Sequence, residues 1–287
     1  MWTGEQTTAH ADKDRALARL ADLLAGSDRA VVLSGAGCST ASGIPDYRDG
    51  DGQWKRPQPV QYQDFVSDPA TRQRYWARSF VGWQRIRGAK PNRAHHVLAD
   101  LEARGKIAHL VTQNVDGLHQ RAGSKQVIDL HGRLEKVECL GCGDSRDRTL
   151  FQARLHADNP GWRPAAAAAA PDGDADLDPD SYAGFSVPAC EVCAGILKPS
   201  VVFFGESVPR ERVEQAWDQV NQADLLLVAG SSLMVFSGFR FVRGAAQRGV
   251  PVAAINLGRT RADEMLTVKV EADCGLALAR LQRRLDE

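Results

Sequence analysis

The chain reads as a doubly wound α/β fold, a parallel sheet with helices on both faces, into which a smaller zinc-binding module is inserted. Three observations predict this. Short apolar runs suited to strands buried on both faces recur near residues 31–33, 127–130, 224–229 and 252–255, and they alternate with helical stretches. The first run ends in a small-residue turn, Gly35-Ala36-Gly37. Two Cys-x-x-Cys pairs, Cys139/Cys142 and Cys190/Cys193, lie in the middle of the chain.

Composition sets the bounds. The 287 residues are 43% hydrophobic, enough for one large or two unequal globular units. Lys+Arg and Asp+Glu number 36 each, so the formal net charge is zero, and nothing favours nucleic acid or an anionic membrane as the main partner. No apolar segment approaches the ~20 residues that span a bilayer. The polar start, with Glu5, Asp12 and Asp14, reads as neither a signal nor a transit peptide, so a cytoplasmic protein is expected. In a reducing compartment paired cysteines point to metal rather than disulfides.

In chain order, residues 12–26 pattern as an amphipathic helix with Leu17, Leu20, Leu23 and Leu24 on one face and Gly26 as a stop. After the first strand, Gly35 and Gly37 leave the backbone open to a ligand, and Ser39 and Thr40 are helix N-cap candidates. A strand, a tight turn and a helix start would make an anion site. A plain β-α turn fits as well, since the full G-x-G-x-x-G spacing is not met. Residues 43–60, rich in Gly, Pro, Asp and Arg, form a long loop that suits a lid or an ordinary surface excursion. Residues 69–87 pattern as a helix with an aromatic face, and another helix follows through Arg104. In that helix His95 and His96 project about 100° apart, which suits packing or capping rather than a metal.

The second strand, 109–112, runs into the polar stretch from Gln113 to Gly123. Open α/β sheets bind ligands just outside their carboxyl strand ends. Asn114 and Asp116 have the donors and acceptors to read a carboxamide; capping a helix is the plainer alternative. His131 follows the third strand, beside Gly132, and its ordinary pKa near ~6.5 suits a general base; a structural histidine is the alternative. The two cysteine knuckles favour one closed Zn²⁺ site with no open position for chemistry. Between them, residues 143–189 contain a helix near 150–157, six alanines at 165–170 and an acidic, Pro/Gly-marked loop at 171–176. Residues 197–206 form an extended apolar segment whose edge could pair with a peptide backbone. Strand 224–229 ends in Gly230-Ser231-Ser232, small hydroxyl residues suited to phosphate and ribose. Strands at 252–255 and 268–270 and a helix at 276–285 complete the chain.

Three strings are specific. Gly-Ala-Gly-x-Ser-Thr-x-Ser-Gly-Ile-Pro-Asp-Tyr-Arg at 35–48, Thr-Gln-Asn-Val-Asp-x-Leu-His-x-x-Ala-Gly at 112–123 and Leu-His-Gly at 130–132 resemble the signatures of the sirtuins, NAD-dependent protein deacylases. The resemblance runs from about residue 15 to 280. It implies a Rossmann-type NAD domain over 1–133 and 197–287, with a helical insert near 45–95, and a zinc module over 134–196. It places Gly35, Ala36, Gly37, Ser39 and Thr40 in the cofactor loop, and Asp46, Tyr47 and Arg48 in a segment that closes over NAD. It gives Asp116 the nicotinamide amide, Gln113 and Asn114 a place beside it with Asn114 fixing a water and the ribose, and His131 the role of catalytic base. Gly230, Ser231, Ser232, Asn256, Leu257 and Gly258 would contact the rest of the cofactor, with Cys274 near adenine; as a free thiol Cys274 reads equally as a buried small hydrophobe. Val201, Val202, Phe203, Phe204 and Gly205 would border the acyl channel.

The long separation of the knuckles, with Asn-Pro-x-Trp and Pro-Asp-Gly-Asp strings, resembles the class II branch and its mitochondrial lipoyl- and biotinyl-handling member, in which the added loop reaches toward the active site. Tyr75 and Arg78 have the Tyr-x-x-Arg spacing of sirtuins that remove acidic acyl groups; a register shifted by one would put Trp76 and Ser79 there. Many sirtuins carry Val-x-Pro where this chain has Val235-Phe236-Ser237, which bears on substrate binding rather than on NAD. The implied reaction moves an acyl group from lysine to ADP-ribose with release of nicotinamide, and the implied partners are acyl-lysine proteins. Mono-ADP-ribosyl transfer or lipoamidase-type activity at the same site, and a non-catalytic NAD-sensing scaffold, are the rival readings. A hydride-transfer dehydrogenase is disfavoured, because no acidic residue clearly ends the second strand.

Overall fold

The structure, a computed structural model, describes residues 4–56, 59–163, 168–169, 171, 174–177 and 179–287. Its centre is a six-stranded parallel sheet. In chain order the strands are β1 (Ala30–Ser34), β2 (His109–Thr112), β3 (Val127–Asp129), then β9 (Leu225–Ala229), β10 (Val252–Ile255) and β11 (Val268–Val270). Their spatial order is β11-β10-β9-β1-β2-β3. The chain therefore starts in the middle of the sheet, winds to one edge, then crosses back and winds to the other. The crossing leaves a crevice outside the carboxyl ends of β1 and β9, the switch point where such sheets bind ligands.

Side-chain alternation explains why the strands are apolar throughout. Val32, Leu225, Leu227 and Ile255 pack on one face, against Leu17, Leu20 and Leu24 of α1 (Gly4–Ala25), Leu98 and Leu101 of α4 (Arg93–Ala103), and Leu278 and Leu281 of α9 (Cys274–Asp286). Val31, Leu33, Leu226 and Val228 pack on the other, against Val220 of α7 (Arg210–Gln222) and Phe241, Val242 and Ala245 of α8 (Phe236–Gln247). The first helix starts eight residues earlier than its leucine pattern indicates.

The smaller unit has its own core. Strands β4 (Gly132–Cys139), β5 (Ser145–Asp147) and β8 (Leu197–Val201) form an antiparallel sheet in the order β5-β4-β8. Sequence reading assigns residues from 197 onward to the large unit. Backbone pairing places β8 beside β4 instead, from Leu197 against Cys139 to Val201 against Gly132. This sheet packs with α2 (Tyr62–Ser67), α3 (Pro69–Gly88) and α6 (Arg148–Asp158) around Phe65, Trp76, Phe80 and Phe185. The two remaining strands, β6 (Ala168–Ala169) and β7 (Ala175–Asp176), form a short hairpin in the insertion. Most of the six-alanine tract lies outside the described residues.

Trp76 is fully buried here, and its indole Nε1 donates to the Leu197 carbonyl at 3.1 Å. Trp76→Ala removes that bond and opens a cavity, so it should cost about 3–5 kcal/mol. A urea denaturation midpoint unchanged from that of the parent chain would contradict this packing.

Candidate functional site

At the switch point the ends of β1 and β9 touch. Gly37 N–H donates to the Gly230 carbonyl at 2.8 Å. A Cβ on Gly35 would lie 2.7 Å from Ser231 Cβ, and one on Gly37 would lie 2.9 Å from the Gly230 oxygen. Gly230 has φ +61°, and its Cβ would meet Cys38 N at 2.4 Å. Gly35 and Gly37 are thus required by backbone-to-backbone contact, not only by approach of a ligand. No α-helix follows the turn. Residues Ala36–Cys38 and Thr40–Ser42 form two short 3-10 turns, and neither Ser39 nor Thr40 caps a helix with its side chain.

Ser39 points down into a buried polar network instead. Its hydroxyl donates to Asp116 Oδ2 at 2.7 Å and accepts from Asn114 Nδ2 at 3.1 Å. Asn114 Nδ2 also reaches the Gly35 carbonyl at 3.1 Å, and Leu118 N–H donates to Asp116 Oδ1 at 2.8 Å. Burial raises the Asp116 pKa, against the pull of these donors. Beneath lie two histidines in contact, with ring centroids 4.8 Å apart. His95 Nδ1 accepts from the Asn92 backbone in a capping box, and His119 Nε2 meets Ser34 Oγ at 2.9 Å. His95 thus has the capping role that suits its place in the sequence, and His119 is tied to the end of β1.

These loops border a cavity of about 1000 Å³. Gly35, Ala36, Gly37, Gln113, Asn114, His131, Gly230, Ser231, Ser232, Asn256 and Leu257 line it on the sheet side. Asp46, Tyr47 and Arg48 line it from the loop above, and Val201, Val202, Phe203, Phe204 and Gly205 border its other end. The loop is folded over the cavity rather than away from it. Arg48 lies over Trp54 at 3.9 Å, the rings of Tyr47, Trp54 and Phe204 meet edge to face, and Arg259 N–H holds the Gly50 carbonyl at 2.7 Å. Segment 201–205 is fixed from behind by Lys198, which is 1% exposed. Its ammonium donates to the Val201 carbonyl at 2.6 Å and meets Glu206 at 3.3 Å, while Glu206 accepts from Phe203 N–H. A lysine within an apolar run gives no sign in sequence that it turns inward.

His131 is placed by three elements. Its Nδ1 lies 3.0 Å from the Gln113 carbonyl, its own carbonyl accepts from Val202 N–H at 2.8 Å, and its Nε2 lies 2.8 Å from Ser237 Oγ at the start of α8. A carbonyl accepts only, so the proton is on Nδ1 and the lone pair on Nε2. Burial pushes the imidazole down to about 4, and the cations Arg240 and Arg212 push the same way. It is neutral at physiological pH and can accept a proton. Gly132, with φ +81°, faces the Ser200 oxygen, 2.0 Å from where its Cβ would be; its role is to turn the chain into β4, not to admit a substrate.

Several expected residues lie elsewhere. Ser39 and Asp116 sit one layer behind the lining. Thr40 bonds the Gly37 carbonyl, and a Cβ on Gly258 would meet the Gly50 oxygen at 2.3 Å. Cys274 is buried against Cys38, Sγ to Sγ 3.4 Å, in the core under the sheet. Tyr75 packs on Phe65, Trp76 and Phe203, behind the cavity wall. Arg78 is held by Asp174 of the insertion, Nε to Oδ1 2.8 Å and Nη2 to Oδ2 2.6 Å. Neither Tyr75 nor Arg78 lines the cavity, and among the described residues none of 143–189 does. The insertion docks on α3, where Trp162 and Phe185 pack against Phe80.

The four knuckle cysteines converge, with all Sγ atoms within 4.8 Å. Cys139 to Cys193 is 3.4 Å and Cys142 to Cys190 is 3.7 Å. A tetrahedron with Zn–S of ~2.3 Å has edges of about 3.8 Å, so the donor set fits one Zn²⁺. Gly195 is needed here, since its Cβ would lie 2.9 Å from Cys139 Sγ.

The chain matches the Sir2 family over residues 35–237. It is 63% identical over 258 residues to an "NAD-dependent protein deacetylase" of Xanthomonas campestris pv. campestris (strain 8004), covering 90% of this chain and 88% of that protein. It is 60% identical over 262 residues to "NAD-dependent protein deacetylase 2" of Bradyrhizobium diazoefficiens, covering 91% and 96%. A solved structure described as "Sir2 bound to acetylated peptide" superposes with a TM-score of 0.76 at 32% identity, covering 93% of this chain and 98% of the other.

Two measurements test this geometry. His95 is held near 4 and His119 near 3, both chiefly by burial. The unfolded chain takes up those protons near ~6.5, so each histidine should remove about 1.4 kcal/mol of stability per pH unit as pH falls from about 6.5 toward 4. Urea denaturation at pH 7 and pH 5 checks this, and equal midpoints would contradict it. Removal of zinc by a chelator should unfold the β4–β5–β8 unit, since structural Zn²⁺ supplies about 10–16 kcal/mol. Unchanged circular dichroism after verified metal loss would rule the site out as structural.

Proposed function

The chain belongs to the Sir2 family, and on that premise we propose that it is an NAD-dependent protein lysine deacylase. One observation carries the reading. A neutral imidazole, His131, lies with its Nε2 lone pair at a cavity that the glycine turn of β1 and the strand segment 201–205 share. Bound NAD would supply the acceptor for the acyl group, leaving nicotinamide and O-acyl-ADP-ribose as products.

The chain's own residues do the rest. The backbone of Gly35 to Gly37 and the hydroxyls of Ser231 and Ser232 would hold the diphosphate and ribose, and Asn256 and Leu257 the adenosine end. Asn114, which lines the cavity, and Asp116, one hydroxyl behind it, are the pair we assign to the carboxamide. Their network leaves them little freedom, so orientation is set before binding. Asp46, Tyr47 and Arg48 exclude water from above. The segment 201–205 offers backbone to an extended acyl-lysine peptide. His131, through Nε2, is the base for the sugar hydroxyl that takes the acyl group, and a positioned base of this kind contributes about 10²–10⁴-fold.

The long insertion with Asn159-Pro-x-Trp162 and Pro171-Asp-Gly-Asp174 supports a place in the class II branch, near the lipoyl- and biotinyl-handling member. The Arg78–Asp174 ion pair does not favour Tyr75 and Arg78 as readers of an acidic acyl group. The protein is proposed to act on cytoplasmic acyl-lysine proteins.

The test is nicotinamide release from NAD across acetyl-, succinyl-, branched-, lipoyl- and biotinyl-lysine peptides. At least one should support turnover, and His131→Tyr should lower it about 100-fold or more while NAD binding survives. Zinc-loaded, NAD-binding protein that releases nicotinamide with none of these peptides would overturn the deacylase reading. ADP-ribose label on protein would favour transfer to protein instead.

A further inference from the structure

The contact between His131 and Ser237 has a consequence for the proton path. Ser237 is 9% exposed, lines the cavity, and lies in the first turn of α8. The turn is pressed onto the loop after β2. A Cβ on the neighbouring Gly238 would lie 2.6 Å from the Gln113 amide nitrogen, and Gln113 Oε1 is itself held by Ser231 Oγ at 2.7 Å. The same Gln113 gives its backbone carbonyl to His131 Nδ1. One residue thus sets both the tautomer of the imidazole and the position of the serine.

With Nδ1 protonated, the 2.8 Å contact has one sense: Ser237 Oγ–H donates and Nε2 accepts. The lone pair that must take the substrate's proton is therefore already occupied, by a hydroxyl of this chain. A hydroxyl is both donor and acceptor, so the incoming sugar hydroxyl can donate to Ser237 Oγ without displacing it.

We propose that Ser237 is a proton relay between the acyl-accepting hydroxyl and His131. The sugar O–H and the serine O–H break together, while a new serine O–H and an Nε2–H form. The freed sugar oxygen would bond to the acyl carbon as that carbon's π bond opens and its electron pair moves onto the lysine nitrogen, the serine ends unchanged, and the positive charge rests on the imidazole. No oxidant or further reactant is required. The charged groups bearing on His131 are Arg212 of α7 and Arg240 of α8, and both resist that charge. The proton is held only briefly and is available for return to the departing lysine amine. The relay rests on the deacylase reading, and the experiment separates the two.

Ser237→Ala and Ser237→Thr are compared with the parent chain in three measurements. In the free protein, nitrogen NMR of the histidine ring should show the His131 pKa lowered in Ser237→Ala by about half a unit to one unit, since the hydroxyl can turn to accept from a protonated Nε2 and that charge-assisted bond is lost. Single-turnover deacylation should fall about tenfold or more in Ser237→Ala and recover in Ser237→Thr. Nicotinamide exchange, which does not need the base, should stay within about twofold of the parent. In mixed H₂O and D₂O the parent should give a curved, two-proton rate dependence. An alanine variant with parental deacylation rate and His131 titration would overturn the relay, as would equal loss of exchange and deacylation. A parent chain with no acyl-peptide-dependent nicotinamide release would overturn the deacylase reading instead.

Discussion

Two backbone turns meet at the centre of this molecule with no room for a side chain between them. The ends of β1 and β9 touch through Gly35, Gly37 and Gly230, and the rest of the site depends on that contact. It is possible only because β1 and β9 are neighbours, the point where a doubly wound sheet reverses direction. It brings Ser39 over Asn114 and Asp116, 75 and 77 residues further on, and the three polar side chains satisfy one another below the cavity. A Cβ at any of the three glycines would push the turns apart and leave those buried groups unpaired, at a cost of about 1–3 kcal/mol each.

Neutrality is the second theme. His95, His119 and His131 are all held uncharged by burial, and the hydrogen bonds of the first two face inward into the structure. Only His131 directs its basic nitrogen toward the cavity. Burial keeps it neutral, and Arg240 and Arg212 push the same way. The zinc unit contributes at a distance: β4 leaves His131 directly through Gly132, and β8 returns beside it to form the cavity border. A closed four-cysteine metal site at the far end of those two strands therefore holds His131 and segment 201–205 in register.

Much of this was legible in the sequence. Strands buried on both faces lack an alternating pattern, and their apolar runs marked the sheet. The cysteine spacing marked the metal, and the short strings around Gly35, Asn114 and His131 marked the cavity. What was not legible depends on tertiary contact. The glycines of the first turn look like ligand-facing residues until their neighbours across the sheet are known. A serine after a glycine turn resembles a helix cap, yet Ser39 found a carboxylate 77 residues away. Tyr75 and Arg78 have a suggestive spacing, but Tyr75 packs behind the cavity wall on Phe203, and Asp174 of the insertion takes the Arg78 guanidinium. Cys274 follows the adenine-side strands in sequence, but its thiol turns to Cys38 in the core. Lys198 carried no local signal, and Ser237, which stands where many sirtuins have proline, gains its partner only because the fold carries the start of α8 to His131.

A chain that consumes NAD to move an acyl group from lysine to the sugar leaves a fixed ratio of products. Mass spectrometry of a reaction with an acyl-lysine peptide that the protein accepts measures that ratio. One nicotinamide and one O-acyl-ADP-ribose should appear for each lysine freed. Free carboxylic acid with intact NAD, or ADP-ribose joined to protein while the acyl-lysine persists, would contradict that transfer.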